Sequence, residues 1–144
     1  MRDKVERWLT HQNYSFKPLK TDENSFHFLI KHAGTSGAPV EVFEPKSQPN
    51  VLVIGSKANL KNNQISRYLR FSEEEKKKFE KKIEDFCYSI KAVHRFLEED
   101  GKRKVGVYIV LENQEEINHE VLFETIDKAA EMHEKTSQFL LKAF

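Results

Sequence analysis

The chain has 144 residues, a length that suits one domain able to close a hydrophobic core without metals or disulfides. Its 24 Lys and Arg balance 23 Asp and Glu, so the excess positive field that phosphate-backbone binding needs is missing and a nucleic-acid binder is disfavoured. Eleven phenylalanines, four tyrosines and Trp8 exclude a disordered chain, and Cys87, standing alone, excludes an internal disulfide and a thiolate zinc cluster.

Val5, Trp8 and Leu9 have i, i+3, i+4 spacing and predict a short amphipathic helix ending near Asn13. The period then changes to two. A weak strand Ser15–Leu19, interrupted by Pro18, and the strand Ser25–Lys31, with Phe26, Phe28 and Ile30 on one side, form a hairpin across a polar turn at 21–24. Gly34, Gly37 and Pro39 mark a loop before the strand Val40–Glu44, and a turn at 45–49 leads into the apolar strand Val51–Ile54, ending at Gly55. Lys57–Arg70 reads as an irregular covering segment anchored by Leu60, Ile65, Tyr68 and Leu69.

Ser72 and Glu75 are spaced as a capping box, and Phe79, Ile83, Phe86 and Ile90 form the apolar stripe of the helix it opens. Glu73 with Lys77, and Glu74 with Lys78, are expected as i,i+4 pairs on its wet side. Val93 and Leu97 would continue the stripe to Gly101, so periodicity alone favours one long helix. Asp100-Gly101, however, is a strong hairpin signal, and it precedes the alternating Val105, Val107, Ile109 and Leu111. The helix is therefore expected to end near Ile90, with Val93–Glu99 a strand paired to Lys104–Glu112. Asn118 caps a last helix, with Ile117 and Leu122 as a hydrophobic staple and Leu122, Ile126, Ala129, His133 and Leu140 along its inner side. The expected fold is one α+β domain over 1–144, an antiparallel sheet with packed helices in the order α-β-β-β-β-α-β-β-α.

That order, carried by Val5, Trp8, Leu9 and Tyr14, by Phe26-His27-Phe28 and Val51-Leu52-Val53-Ile54, by the Asp100-Gly101 hairpin, and by Val107–Leu111 running through 117–122 into the last helix, resembles the type III secretion chaperone-like fold. This fold is shared with the YbjN group and with an archaeal domain family of unknown function. The likeness spans nearly the whole chain. It implies a cytoplasmic protein-binding module, often dimeric, and transfers no catalytic residue.

The six histidines, His11, His27, His32, His94, His119 and His133, offer no pair at the helical spacing of a metal site, so neither metal nor cofactor is expected. His27 and His32 read as ordinary surface or edge residues, and His133 as a partly buried, satisfied imidazole. Cys87 lies next to the buried stripe of its helix and reads as an inert small hydrophobe, although His94 or His119 would be the base if it were a nucleophile. Residues 51–57 superficially resemble a strand entering a phosphate loop but lack the required glycines. Lys76-Lys77-Lys78 with Lys81-Lys82, interleaved with glutamates, reads as a solvated helix face, and Lys102-Arg103-Lys104 as a hairpin tip. Glu112, Glu115 and Glu116 form a polar loop without the burial that acid/base catalysis needs.

The expectation is a non-enzymatic cytoplasmic protein-binding or chaperone-like module with no membrane contact, since the charged first residues are unlike a signal peptide and no apolar run approaches bilayer length. The alternative is a small-ligand receptor or enzyme whose site assembles only in three dimensions. Alternation points to the binding surface. If Val105, Val107, Ile109 and Leu111 face the helices, Tyr108 and Val110 face away, with Leu29, Phe43, Leu52 and Ile54 joining them on a second apolar face that associates, as a homodimer or with another protein. Against this stands the reading that a helix or the 57–70 segment covers that face within the monomer.

Overall fold

The computed structural model describes residues 1–99 and 102–143. The chain runs through α1 (Arg2–His11), β1 (Phe16–Pro18), β2 (Asn24–Ala33), β3 (Ala38–Pro45), β4 (Leu52–Asn59), α2 (Asn62–Leu69), α3 (Glu73–Ser89), β5 (Val93–Glu99), β6 (Lys102–Leu111), a 3-10 turn (Gln114–Glu116) and α4 (His119–Ala143). The strands form one antiparallel sheet in the order β1-β2-β3-β4-β6-β5.

Local chemistry accounts for most of these boundaries. At the start of α3, Glu75 N–H donates to Ser72 Oγ and Ser72 N–H to the Glu75 carboxylate, both at 3.2 Å, the reciprocal arrangement that satisfies two orphan donors. Its end is a Schellman motif: Lys91 N–H bonds Tyr88 O at 3.0 Å, Ala92 N–H bonds Cys87 O at 2.9 Å, and Lys91 sits at φ 56°. Asn13, at φ 60°, closes α1 in the same way, with Tyr14 N–H on Leu9 O. Asn118 Oδ1 accepts from Val121 N–H at 2.9 Å and caps α4, and Ile117 and Leu122 meet in one core cluster as a staple. The ion pairs on α3 are Glu73–Lys76 and Lys81–Asp85, not the expected Glu73–Lys77 and Glu74–Lys78.

Val93–Glu99 is a strand, and its register against β6, from Val93 opposite Tyr108 to Glu99 opposite Lys102, makes the expected hairpin. The Asp100-Gly101 dipeptide itself lies outside the described residues. Within 57–70 the irregular reading is corrected, because residues 62–69 are helical. Gln64 explains the turn: its Oε1 accepts from Lys61 N–H at 2.8 Å, while its buried Nε2 donates to Leu140 O at 3.0 Å and ties α2 to the end of α4.

All the helices that bury core side chains lie on one face of the sheet. One core cluster joins Val5 and Leu9 of α1 to Phe28, Val42, Ile54 and Ile126; the other joins Ile83 and Cys87 of α3 to Val105, Val107 and Leu140. The opposite face carries no helix among the described residues.

Candidate functional site

Strand register assigns side chains to that helix-free face. His27 lies opposite Phe43, Phe43 opposite Val53, and Val53 opposite Val110; Leu29 lies opposite Glu41, Glu41 opposite Gly55, and Gly55 opposite Tyr108. Directly paired residues share a face. Leu29, Phe43, Tyr108 and Val110 are therefore brought together on the face without helices, along with Val53. Leu52 and Ile54 are not. They pair with Leu111 and with Val42 and Ile109, and both are fully buried in the first core cluster. That part of the sequence reading is corrected: β4 is apolar on both faces, so its own pattern cannot phase it.

On this face an open cleft of about 810 Å³ is lined by β2, β3, β4, β5 and β6 and walled by the turn at residues 45–48. Its floor is aromatic. The ring of Phe43 stacks on His27 at 4.9 Å between centroids and meets Tyr108 edge-on at 6.0 Å. Tyr108 lies across two strand glycines: a Cβ on Gly106 would fall 2.5 Å from the Tyr108 hydroxyl, and one on Gly55 would collide with the same ring and with the Val107 carbonyl. The glycines supply the trough that lets this ring lie flat on the sheet.

Beside the aromatic floor runs a chain of charges. Asn24 Nδ2 donates to His27 Nδ1 at 3.1 Å, and His27 Nε2 lies 2.7 Å from Glu41 Oε1. Lys57 Nζ bridges Glu41 at 3.4 Å and Glu99 at 2.7 Å, and Lys104 Nζ reaches the other oxygen of Glu99 at 3.5 Å. His27 and Glu41 are each only 7% exposed, which corrects the reading of His27 as an ordinary surface histidine. Burial opposes ionisation of Glu41, but the hydrogen bond from His27 and the charge of Lys57 outweigh it and hold the carboxyl below its ordinary range. Burial also works against the Lys57 ammonium, and Glu99 and Glu41 more than offset it, so its pKa is raised. The hydrogen bond from Lys57 leads the causes that lower Glu99. Burial raises the Tyr108 phenol, which remains neutral at physiological pH. These charges neutralise one another and orient Lys57, leaving Arg95 on the same face without an ion-pair partner among the described residues.

His133 and Cys87 lie in the packing on the helix side of the sheet. His133 Nδ1 lies 3.1 Å from Ser56 Oγ across the α4–β4 packing, and burial lowers its pKa, so it is the satisfied imidazole of the sequence reading. Burial pushes the Cys87 thiol up to about 11, far from the thiolate that a nucleophile requires. Among the described residues no group of three or more His, Cys, Asp or Glu side chains is placed to hold a metal, and no helix is long and apolar enough to cross a membrane. Sequence reasoning missed Glu41, Lys57, Glu99 and Lys104. The signals that could have found them are the isolated strand glycines Gly55 and Gly106, which mark close approach over the same patch.

A search of curated proteins finds no match. Among solved structures, the crystal structure of an uncharacterized protein from Methanothermobacter thermautotrophicus is similar, with a TM-score of 0.75 and 10% identity, over 99% of this chain and 98% of that one. At that identity the likeness concerns the fold alone. A family model described as "Uncharacterized conserved protein (DUF2299)" matches residues 1–140, and the chain belongs to that family.

Proposed function

We propose that this chain is a non-enzymatic, cytoplasmic protein-binding module of the type III secretion chaperone-like kind, and that it grips its partner with the helix-free face of its sheet. The observation that carries the reading is the convergence of Leu29, Phe43, Val53, Tyr108 and Val110 on a face that no helix covers among the described residues. Antiparallel sheets with one wet face alternate apolar with polar residues; Val53 and Tyr108 are themselves only 7% and 8% exposed, so the apolar area a partner would meet is that of the half-buried Leu29, Phe43 and Val110. Internal pairing of the cleft's charges supports binding over acid/base chemistry, because a general base must be free to take a proton.

Affinity recovery from native lysate at physiological salt tests the reading, comparing the wild-type chain with Leu29→Lys and Val110→Asp. Both residues are half-buried, and circular dichroism checks that the variants fold. The wild type is expected to retain a specific protein that both variants lose. Recovery of no partner, or of the same partner by all three chains, overturns it.

The gathering of His27, Glu41, Lys57, Glu99 and Arg95 around a cleft favours a second reading, a small-ligand receptor. Fragment screening by NMR separates the two: saturable shifts at Tyr108 and Phe43 with small molecules support the receptor.

A further inference from the structure

The sheet has two edges, and they are built differently. At one, β1 is three residues long and ends in Pro18, which has no N–H to offer, so this edge is blunted against further pairing. At the other, β5 runs seven residues without a proline and pairs with β6 alone. Exposed apolar area concentrates there too: of the five large hydrophobic residues left exposed among the described residues, Tyr88, Val93 and Phe96 lie within nine positions at the end of α3 and along β5. A seven-residue open edge with Val93 and Phe96 exposed and no proline is one that proteins blunt or cover, and here only its charged residues stand against pairing.

The charges of β5 say which strand that is. His94 and Arg95 occupy its first half and Glu98 and Glu99 its second, so the strand is polarised from basic to acidic along its length. An antiparallel copy related by a two-fold axis at Phe96 places Val93 opposite Glu99, His94 opposite Glu98, Arg95 opposite Leu97, and Phe96 opposite itself. Arg95, which has no ion pair among the described residues of its own chain, then lies diagonal to the partner's Glu99 on one side and to the partner's Arg95 on the other, and an aromatic pair sits on the axis. Shifting the axis to Arg95 sets two arginines directly against each other, and shifting it to Leu97 sets Arg95 opposite Glu99 but turns the exposed Phe96 against Glu98. A parallel copy in register stacks like on like along the whole strand.

We infer that β5 is the self-recognition edge of this protein, pairing antiparallel with β5 of a second copy to join two six-stranded sheets into one of twelve strands. The partner-binding faces of the two copies then lie on the same side, side by side and uncovered. This places the second copy at an edge and not on the face to which strand alternation pointed, and it stands independently of the proposal for that face.

Sedimentation equilibrium of the full chain, with His94→Glu and Glu98→Lys, tests it. Neither residue belongs to the Glu41–Lys57–Glu99 chain of charges. His94→Glu sets a glutamate opposite the partner's Glu98 in each of two symmetry-related pairs and is expected to weaken the dimer about tenfold, and Glu98→Lys removes the acidic neighbour of His94 and is expected to weaken it less. Mixing the two variants restores complementary pairs in a heterodimer, so association of the mixture is expected to return to the wild-type level. A misfolded variant is not rescued by mixing. A monomeric wild type at millimolar concentration, or a dimer whose strength neither variant changes, overturns the inference.

Discussion

Replacing Lys57 with methionine keeps most of the stem that packs against the sheet and removes the charge between Glu41 and Glu99. The two contacts differ in depth: the Glu41 side chain is 9% exposed, Glu99 39% and Lys57 21%. A contact as exposed as Lys57–Glu99 contributes about 0–1 kcal/mol. Removing one partner of a fully buried pair costs about 3–5 kcal/mol, and water reaching the partly exposed Lys57 site roughly halves that for Glu41. The expected destabilisation of Lys57→Met at pH 7 is therefore about 2–3 kcal/mol. In a cycle with Glu41→Gln, whose neutral amide no longer needs the cation, the losses are expected to be less than additive by about 1 kcal/mol. The folded pKa values of Glu41 and Glu99 lie below the ordinary value of 4.5, so their contribution is present above that pH and lost as pH falls through the folded values. Lys57 has a raised folded pKa, and its share is lost only as pH climbs past the ordinary value of 10.5. The gap between wild type and Lys57→Met is thus expected to be widest near neutrality and to shrink toward pH 3. Urea unfolding at pH 7, 5 and 3 measures it. A loss under about 0.5 kcal/mol at pH 7, the scale of an ordinary surface substitution, or one unchanged at pH 3, refutes the argument.

The glycine trough predicts that Gly106→Ala costs about 1–3 kcal/mol by crowding the Tyr108 ring and that Tyr108→Ala relieves it, whereas Gly55→Ala, which also meets the Val107 carbonyl, is not relieved; thermal midpoints of the single and double variants decide this. Lys91 holds a left-handed conformation at the end of α3, so Lys91→Gly is expected to raise stability by about 1 kcal/mol in urea, and no gain would mean that the lysine side chain stabilises the turn by as much as the strain costs. Cys87 is fully buried with its thiol raised to about 11, so native protein at pH 8 is expected to react with a disulfide reagent only as fast as it opens; rapid labelling under native conditions excludes that burial.

The sequence made most elements legible because their ends carry side-chain signals. Ser72 with Glu75, and Asn118 with Ile117 and Leu122, fix two helix starts by hydrogen bonds and contacts between near neighbours. The end of α3 was legible only through the β5–β6 hairpin beyond it. Lys91 adopts a conformation that usually announces itself as glycine, and the apolar stripe runs on through Val93 and Leu97, so the hairpin signal had to outweigh the helical period. Helix α2 repeats at Ile65, Tyr68 and Leu69 the i, i+3, i+4 spacing that identified α1, but over only eight residues, so the segment read equally as a covering loop. Its polar stretch is organised by Gln64, whose amide is spent on a carbonyl 76 positions later, a partner no local window contains.

The helix-free face was half legible for the same reason. Alternation in β6 and in β2 assigned Tyr108, Val110 and Leu29 correctly, since one face of each strand is continuously apolar. In β4 every residue from Leu52 to Ser56 is buried, so period two vanishes and only the pairing of Ile54 with Val42 and Ile109 reveals its phase. The charges were harder still: Glu41, Lys57 and Glu99 look like solvated residues in sequence, and they become a unit only when three strands lie side by side. What sets them apart from surface charges is their neighbours across the strands. Gly55 and Gly106 flank the patch without side chains, and Tyr108 fills the vacant space close enough to feel the charges of Lys57 and Glu41. A strand glycine near a charge that has no local partner is therefore evidence for a buried polar chain, because the missing Cβ admits a large side chain beside it.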